Sequence, residues 1–223
     1  MTAADDARFW NKTAERYAAS KIADPGGYER TLERTRSFLQ PNHRVLELGC
    51  GTGTTALRLA GSVGSYLATD ISERMIGIAR QKLDEDPVPC LSFRPAVAED
   101  LADDDHRFDI ILAYNYLHLV RDPDATLRTI ARLLKPQGVF ISKTPCLGEM
   151  NVLIRRVLLP AMRSVGKAPH VAIFGARELT QMIVGKGLDI VAHENHATKG
   201  SETRPFIVAK NREPEQFVDE DRQ

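Results

Sequence analysis

Charge of one sign, paired cysteines and long apolar runs are all missing from this chain of 223 residues. Its 30 basic and 30 acidic side chains cancel, whereas a protein that grips nucleic acid or an anionic membrane carries a basic excess. The three cysteines, Cys50, Cys90 and Cys146, are odd in number and fit no zinc spacing or disulfide framework. Reduced thiols in a cytoplasmic protein are the expectation. The opening "MTAADDARFW" lacks the basic-then-apolar layout of a secretory signal, and no apolar run reaches membrane-spanning length. Repeats and low-complexity tracts are absent too. A soluble chain with one large core is expected, binding no metal and no nucleic acid, with no integral membrane association.

What is present from Val45 onward is an alternation of short apolar runs with helical patterns. "RVLEL", "SYLATDI", "CLSFRP", "FDIILAYNYL" and "GVFISKT" read as five strands, and "LDIVAHENH" with "RPFIVAKN" as a final pair. Between them, "TTALRLAGSV" reads as a helix. "SERMIGIARQKL" opens on an N-cap, Ser72, and sets Met75, Ile76, Ala79 and Leu83 on one face. "DPDATLRTIARLLKPQG" is capped by Asp122, has Pro123 at its first position, and repeats Leu127, Ile130, Ala131 and Leu134 at helical spacing. Strand–helix alternation implies an α/β fold with a mostly parallel sheet covered on both faces. Ligands of such sheets bind beyond the carboxyl ends of the strands.

Residues 1–40 form an expected N-terminal helical arm. Trp10, Thr13, Ala14 and Tyr17 recur at helical spacing there, followed by Tyr28, Leu32, Thr35 and Leu39. The main domain is expected over 41–211. Within it, the apolar stretch 146–175 is either a helix packed on the sheet or a lid over a substrate pocket. Residues 212–223 are polar and acidic and read as a flexible tail.

The chemistry concentrates in "VLELGCGTGTTAL", a strand that breaks into glycines at alternate positions and resumes as a helix. Such turns bring backbone close to a ligand. Gly51, Gly53 and Ala56 satisfy the dinucleotide pattern, and Asp70 supplies the acid about 20 residues on. Counting alone therefore leaves a nicotinamide cofactor open. Glu47 argues otherwise, because a carboxylate two residues before Gly49 sits badly beside a pyrophosphate and suits a cationic ligand.

Taken in order, the motifs resemble those of class I S-adenosylmethionine-dependent methyltransferases. "VLELGCGTG" resembles the first motif, "ATDIS" the acidic second, "AVAEDL" the third and "LLKPQGVFIS" the helix-to-fifth-strand motif, with Gln137 in place of its first glycine. "FWNKTAERYAAS" is similar to the lead-in of the ubiquinone/menaquinone-biosynthesis-type enzymes. The resemblance spans about Phe9 to Lys210. It implies a Rossmann-like, doubly wound, seven-stranded sheet with a C-terminal antiparallel strand, N-terminal helices and a helical insertion after the fifth strand. It also implies S-adenosyl-L-methionine as cofactor and S-adenosyl-L-homocysteine as product. Glu47, Gly49 and Gly51 would contact the methionine part, with Cys50 in the same loop packing its thiol beneath. Asp70 would hold the ribose hydroxyls, Ile71 pack on the adenine, and Val97, Ala98 and Glu99 border the adenine edge. Tyr114 would close the site, and Tyr17 or Lys21 fold over it.

Methyl transfer from a sulfonium is an in-line displacement, so the enzyme mainly aligns acceptor and methyl group and excludes water. His118, just after the fourth strand, is the candidate general base for a hydroxyl acceptor. A packing role weighs equally at that position, and His170 is read as structural. "LAYNYLH" lacks the D/N-P-P-Y of enzymes acting on adenine or glutamine amides, and Cys146 lacks the companion motif of RNA cytosine enzymes. Arg155 and Arg156 read as solvated. The expected partner is a small, mostly apolar acceptor taking a methyl on oxygen or carbon, with the chain a monomer or homodimer. A nicotinamide-dependent oxidoreductase and a cofactor-binding protein without transfer are the competing classes.

Overall fold

The computed structural model of the chain describes residues 2–102, 107–149, 170–198 and 204–212. The elements run α1 (Ala3–Ala18), α2 (Pro25–Arg36), β1 (Arg44–Leu48), α3 (Thr54–Leu59), β2 (Ser65–Asp70), α4 (Glu73–Glu85), β3 (Leu91–Pro95), β4 (Phe108–Tyr114), α5 (Pro123–Leu133), β5 (Leu134–Lys143), α6 (Ala176–Val184), β6 (Leu188–Glu194) and β7 (Phe206–Asn211). One seven-stranded sheet has the order β3-β2-β1-β4-β5-β7-β6, and β7 alone runs antiparallel to its neighbours. This is the expected Rossmann-like doubly wound architecture with its antiparallel strand. The chain winds outward from β1 to β3, then returns to place β4 on the other side of β1. The crevice beyond β1 and β4 is therefore the switch point where such sheets take ligands.

Caps and periodicity explain the helices. The Ser72 side chain accepts from the Met75 N–H at 3.1 Å and Asp122 from the Ala125 N–H at 2.9 Å, each satisfying a donor that the first helical turn leaves orphaned. Asp24 does the same for Gly27 ahead of Pro25. The central strands read as continuous apolar runs because both faces are covered. Ile110 and Leu112 of β4 join a core with Leu32, Leu59 and Ile76, while Ile111 and Ala113 join the opposite core with Leu127, Ile130 and Phe140. Burying a side chain such as Leu127 or Ile130 contributes about 1.5–3 kcal/mol. The arm is packed down too: Ala14 of α1 meets Met75 and Ile78 of α4, with Trp10 and Ala18 flanking.

Two boundaries differ from expectation. The helix expected through "LLKPQG" stops at Leu133, and Leu134 already pairs with Phe108. Pro136 has no N–H to continue a helix, and the chain turns through Gln137 at φ 63° before Val139 settles opposite Ile110. The helix after the glycine turn ends at Leu59 and tightens into a single 3₁₀ turn, Ala60–Ser62. Most of the 146–175 stretch, with Arg155 and Arg156, and nearly all of the 212–223 tail lie outside the described residues. Among the described residues no helix is long and apolar enough to cross a membrane.

Candidate active site

Beyond the carboxyl ends of β1, β2 and β4 lies a cleft of about 930 Å³. Its floor is the turn after β1, where Gly49, Gly51 and Gly53 have φ of 68°, 55° and 76°. That left-handed region favours glycine. The spaces around the three differ. A Cβ on Gly53 would lie 2.7 Å from the Phe93 ring and 2.8 Å from Ala79, so Gly53 lets α3 close onto the sheet. A Cβ on Gly49 would strike the Tyr116 ring at 2.5 Å. Above Gly51 the first neighbour is the Tyr17 ring at 3.3 Å, and that ring roofs the turn from α1.

Lys82 of α4 ties the loop from below, its Nζ donating to the Thr52 carbonyl at 3.0 Å and to the Thr52 and Thr54 hydroxyls. Cys50 is buried, its N–H bonded to the Thr69 carbonyl, and burial pushes its thiol well above the usual range. The thiol is thereby unfit as a nucleophile.

Asp70 ends β2 and faces the cleft. One of its carboxylate oxygens accepts from the Gly51 N–H at 3.0 Å and the other from the Ser72 N–H at 2.9 Å. Burial pushes its carboxyl up and these two bonds pull it back down. Each oxygen keeps a second acceptor position, an arrangement suited to two adjacent hydroxyls. Ile71 and Val97 supply apolar wall beside it. Glu99 also faces the cleft, accepting from the Thr126 hydroxyl at 2.6 Å.

Ala98 and Glu47 do not line the cleft. Ala98 is fully buried, with its backbone bonded to the Tyr116 phenol. Glu47 is not at the mouth of the turn but beneath it, 2% exposed, and the Tyr66 hydroxyl donates to its Oε2 at 2.7 Å. The pleat turns Glu47 to the same face as Val45, toward Tyr66 on the neighbouring strand. Burial raises its carboxyl to about 7, although the Tyr66 bond opposes this. Its charge still reaches the cleft, because it helps to raise the Tyr17 and Tyr114 phenols after burial has done most of that work.

Tyr114 and His118 bring β4 to the site. Tyr114 shares a hydrogen bond of 2.5 Å with the Thr35 hydroxyl. Between Tyr114 and Tyr116 the chain passes through Asn115 at φ 52°, a residue that tolerates this region. His118 lines the cleft, with Nδ1 3.4 Å from the Thr144 hydroxyl. Burial, helped by the positive charge of Arg204, brings its imidazole down to about 4. His170 does not line the cleft, and its N–H reaches Asp6 at 3.4 Å. Cys146 is buried and contacts the Thr144 carbonyl.

Sequence reasoning missed Tyr116, Lys143 and Arg204, which all line the cleft. Tyr116 and Lys143 follow or end the fourth and fifth strands, so the carboxyl-edge rule was a usable signal for both. Arg204 carried none.

Fold and cleft together define a Rossmann-like domain with its open site at the glycine turn. Residues 13–193 match the family model described as a methyltransferase domain, and the chain belongs to that family as a class I S-adenosylmethionine-dependent methyltransferase. It is 28% identical over 184 residues to the uncharacterized methyltransferase YcgJ of Bacillus subtilis, covering 79% of this chain and 72% of that one. The solved structure of YcgJ superposes with a TM-score of 0.68 at 22% identity, covering 83% of this chain and all of the other. The ubiquinone/menaquinone biosynthesis C-methyltransferase UbiE of Vibrio vulnificus is 34% identical over 139 residues, 59% of this chain. The match spans about half of UbiE, 54%. Magnesium protoporphyrin IX methyltransferase of Synechocystis, solved with bound SAH, shares the fold at a TM-score of 0.70 and 17% identity, covering 94% and 99% of the two chains.

Proposed function

We propose that this protein transfers a methyl group from S-adenosylmethionine to a small, largely apolar acceptor, on oxygen or carbon. The observation that carries the reading is the pairing of Asp70 with the glycine turn: a carboxylate already held by two backbone amides, beside three left-handed glycines that shape the cleft floor. When bound, the cofactor supplies an electrophilic methyl group on a sulfonium.

Asp70 takes the ribose diol, Gly49 and Gly51 admit the methionine part, and Ile71 and Val97 sandwich the base. Tyr17, on the packed-down arm, covers the turn and keeps water from the methyl group. The cleft continues past Tyr28, Leu119, Val120 and Pro145, which supply apolar wall for the acceptor. His118 at that end is uncharged at neutral pH. So weak a base takes a proton from an acidic hydroxyl such as a phenol or enol rather than from an alkyl alcohol.

Calorimetric titration with S-adenosylmethionine, S-adenosylhomocysteine and NAD tests the cofactor half, beside an Asp70→Ala variant. Micromolar binding of the adenosyl pair, lost in the variant, supports it; binding of NAD alone refutes it. Formation of S-adenosylhomocysteine with candidate phenols tests the transfer half. A chain that binds the cofactor yet turns over no acceptor is a binding protein.

A further inference from the structure

Lys82 flanks the apolar face of α4, three residues after Ala79, so both side chains lie toward the glycine turn. Ala79 meets the turn by packing, since a Cβ built on Gly53 would lie 2.8 Å from it. Lys82 meets it by charge. Its three N–H donors find three oxygens: the Thr52 carbonyl at 3.0 Å, the Thr52 hydroxyl at 3.1 Å and the Thr54 hydroxyl at 3.2 Å. Thr52 and Thr54 line the cleft, and Lys82 stands behind them.

Packing alone does not call for a cation here. Burial draws the ammonium down from the ordinary lysine range. A positive charge beside the first turn of α3 opposes the dipole of that helix, and holding a lysine in one rotamer costs side-chain entropy. What the contact secures is one peptide. Thr52 sits between Gly51 and Gly53, both left-handed, and glycines leave the peptide planes beside them free to turn over. The Thr52–Gly53 plane has its carbonyl held by Lys82, and its N–H donates to the Cys50 carbonyl at 3.0 Å. Because the peptide is planar, a flip breaks both bonds at once. The earlier half of the turn has other anchors: the Cys50 N–H bonds to Thr69 and the Gly51 N–H to Asp70, both on β2. Lys82 secures the half that follows Gly51.

We propose that Lys82 is a positioning residue for the methionine end of the cofactor: by fixing the Thr52–Gly53 peptide it sets the floor on which that part lies. The nucleoside end is left to Asp70, Ile71 and Val97. The inference rests on the methyl-transfer reading for its ligand, whereas the clamp on the peptide is testable without one.

Lys82→Met keeps the apolar stem, removes the ammonium and suits a helix. Parent and variant are titrated calorimetrically with S-adenosylhomocysteine and with 5′-methylthioadenosine, which carries the same nucleoside without the amino-acid end. S-adenosylhomocysteine is expected to bind the variant about tenfold more weakly, and methylthioadenosine to change by less than about twofold. Hydrogen exchange at the Gly53 amide of the ligand-free protein should be faster in the variant. A role confined to holding the fold would weaken both ligands alike. Equal losses for the two ligands, full retention of S-adenosylhomocysteine affinity, or unchanged exchange at Gly53 overturns the proposal. Thr54→Val removes one of the three oxygens and carries the test if Lys82→Met does not fold; it should show a smaller loss with the same preference, and equal losses there overturn the proposal too. A parent that binds neither ligand overturns the methyl-transfer reading instead, while faster Gly53 exchange in Lys82→Met still supports the clamp.

Discussion

Replacing Glu47 by glutamine removes a charge and keeps an oxygen for the Tyr66 hydroxyl, so the variant isolates what ionising this buried acid costs the fold. The ordinary value of a glutamate is 4.5, and burial beneath the glycine turn raises Glu47 to about 7. Below pH 4.5 the group is neutral whether the chain is folded or not, and its favourable contribution is fully present. Between 4.5 and 7 the unfolded chain releases the proton while the folded chain keeps it, so stability falls as pH rises. Above 7 the loss is complete. At roughly 1.4 kcal/mol per pH unit, the interval amounts to about 3 kcal/mol. Urea unfolding of both proteins at pH 5 and pH 8 measures it. Glu47→Gln is expected to lie within about 1 kcal/mol of the parent at pH 5 and to be up to about 3 kcal/mol more stable at pH 8. The same difference at both pH values, or a parent that gains on the variant as pH rises, refutes the reasoning.

Gly53→Ala puts a Cβ against Phe93 and Ala79 at a φ of 76°; overpacking and backbone strain should together lower stability by about 2–4 kcal/mol, read as a fall in unfolding midpoint without ligand. Asp122→Ala removes the acceptor for the Ala125 N–H at the start of α5 and should cost about 1 kcal/mol, measured by the same unfolding curve.

What could be read from residues alone was whatever depends on near neighbours. The caps at Ser72 and Asp122 act over three residues, and both stand where the pattern put them. The glycine turn was legible for the same reason, and Asp70 falls in hydrogen-bond reach of Gly51 because β2 pairs in register with β1. Pairings between distant segments were not legible. Leu134 becomes a strand residue only because Phe108 stands beside it. Glu47 turns away from the cleft because Tyr66, 19 residues later, offers a hydroxyl on the other face. A buried polar chain joins α2 to residues 160 and 165 positions further on, Arg34 to Glu194 and Thr31 to His196, and no local pattern announces it.

The place of β7 has a consequence for the order in which the chain can be assembled. β6 has a single neighbour in the sheet, β7, and β7 alone links it to β5. Yet β6 ends at Glu194 and β7 ends at Asn211, so the edge strand leaves the ribosome before the strand that must hold it. At synthesis rates of about 5–20 residues per second, β6 waits on the order of 1–3 seconds with both of its backbone edges unpaired. The same interval leaves Lys143, at the end of β5, without Phe206 beside it.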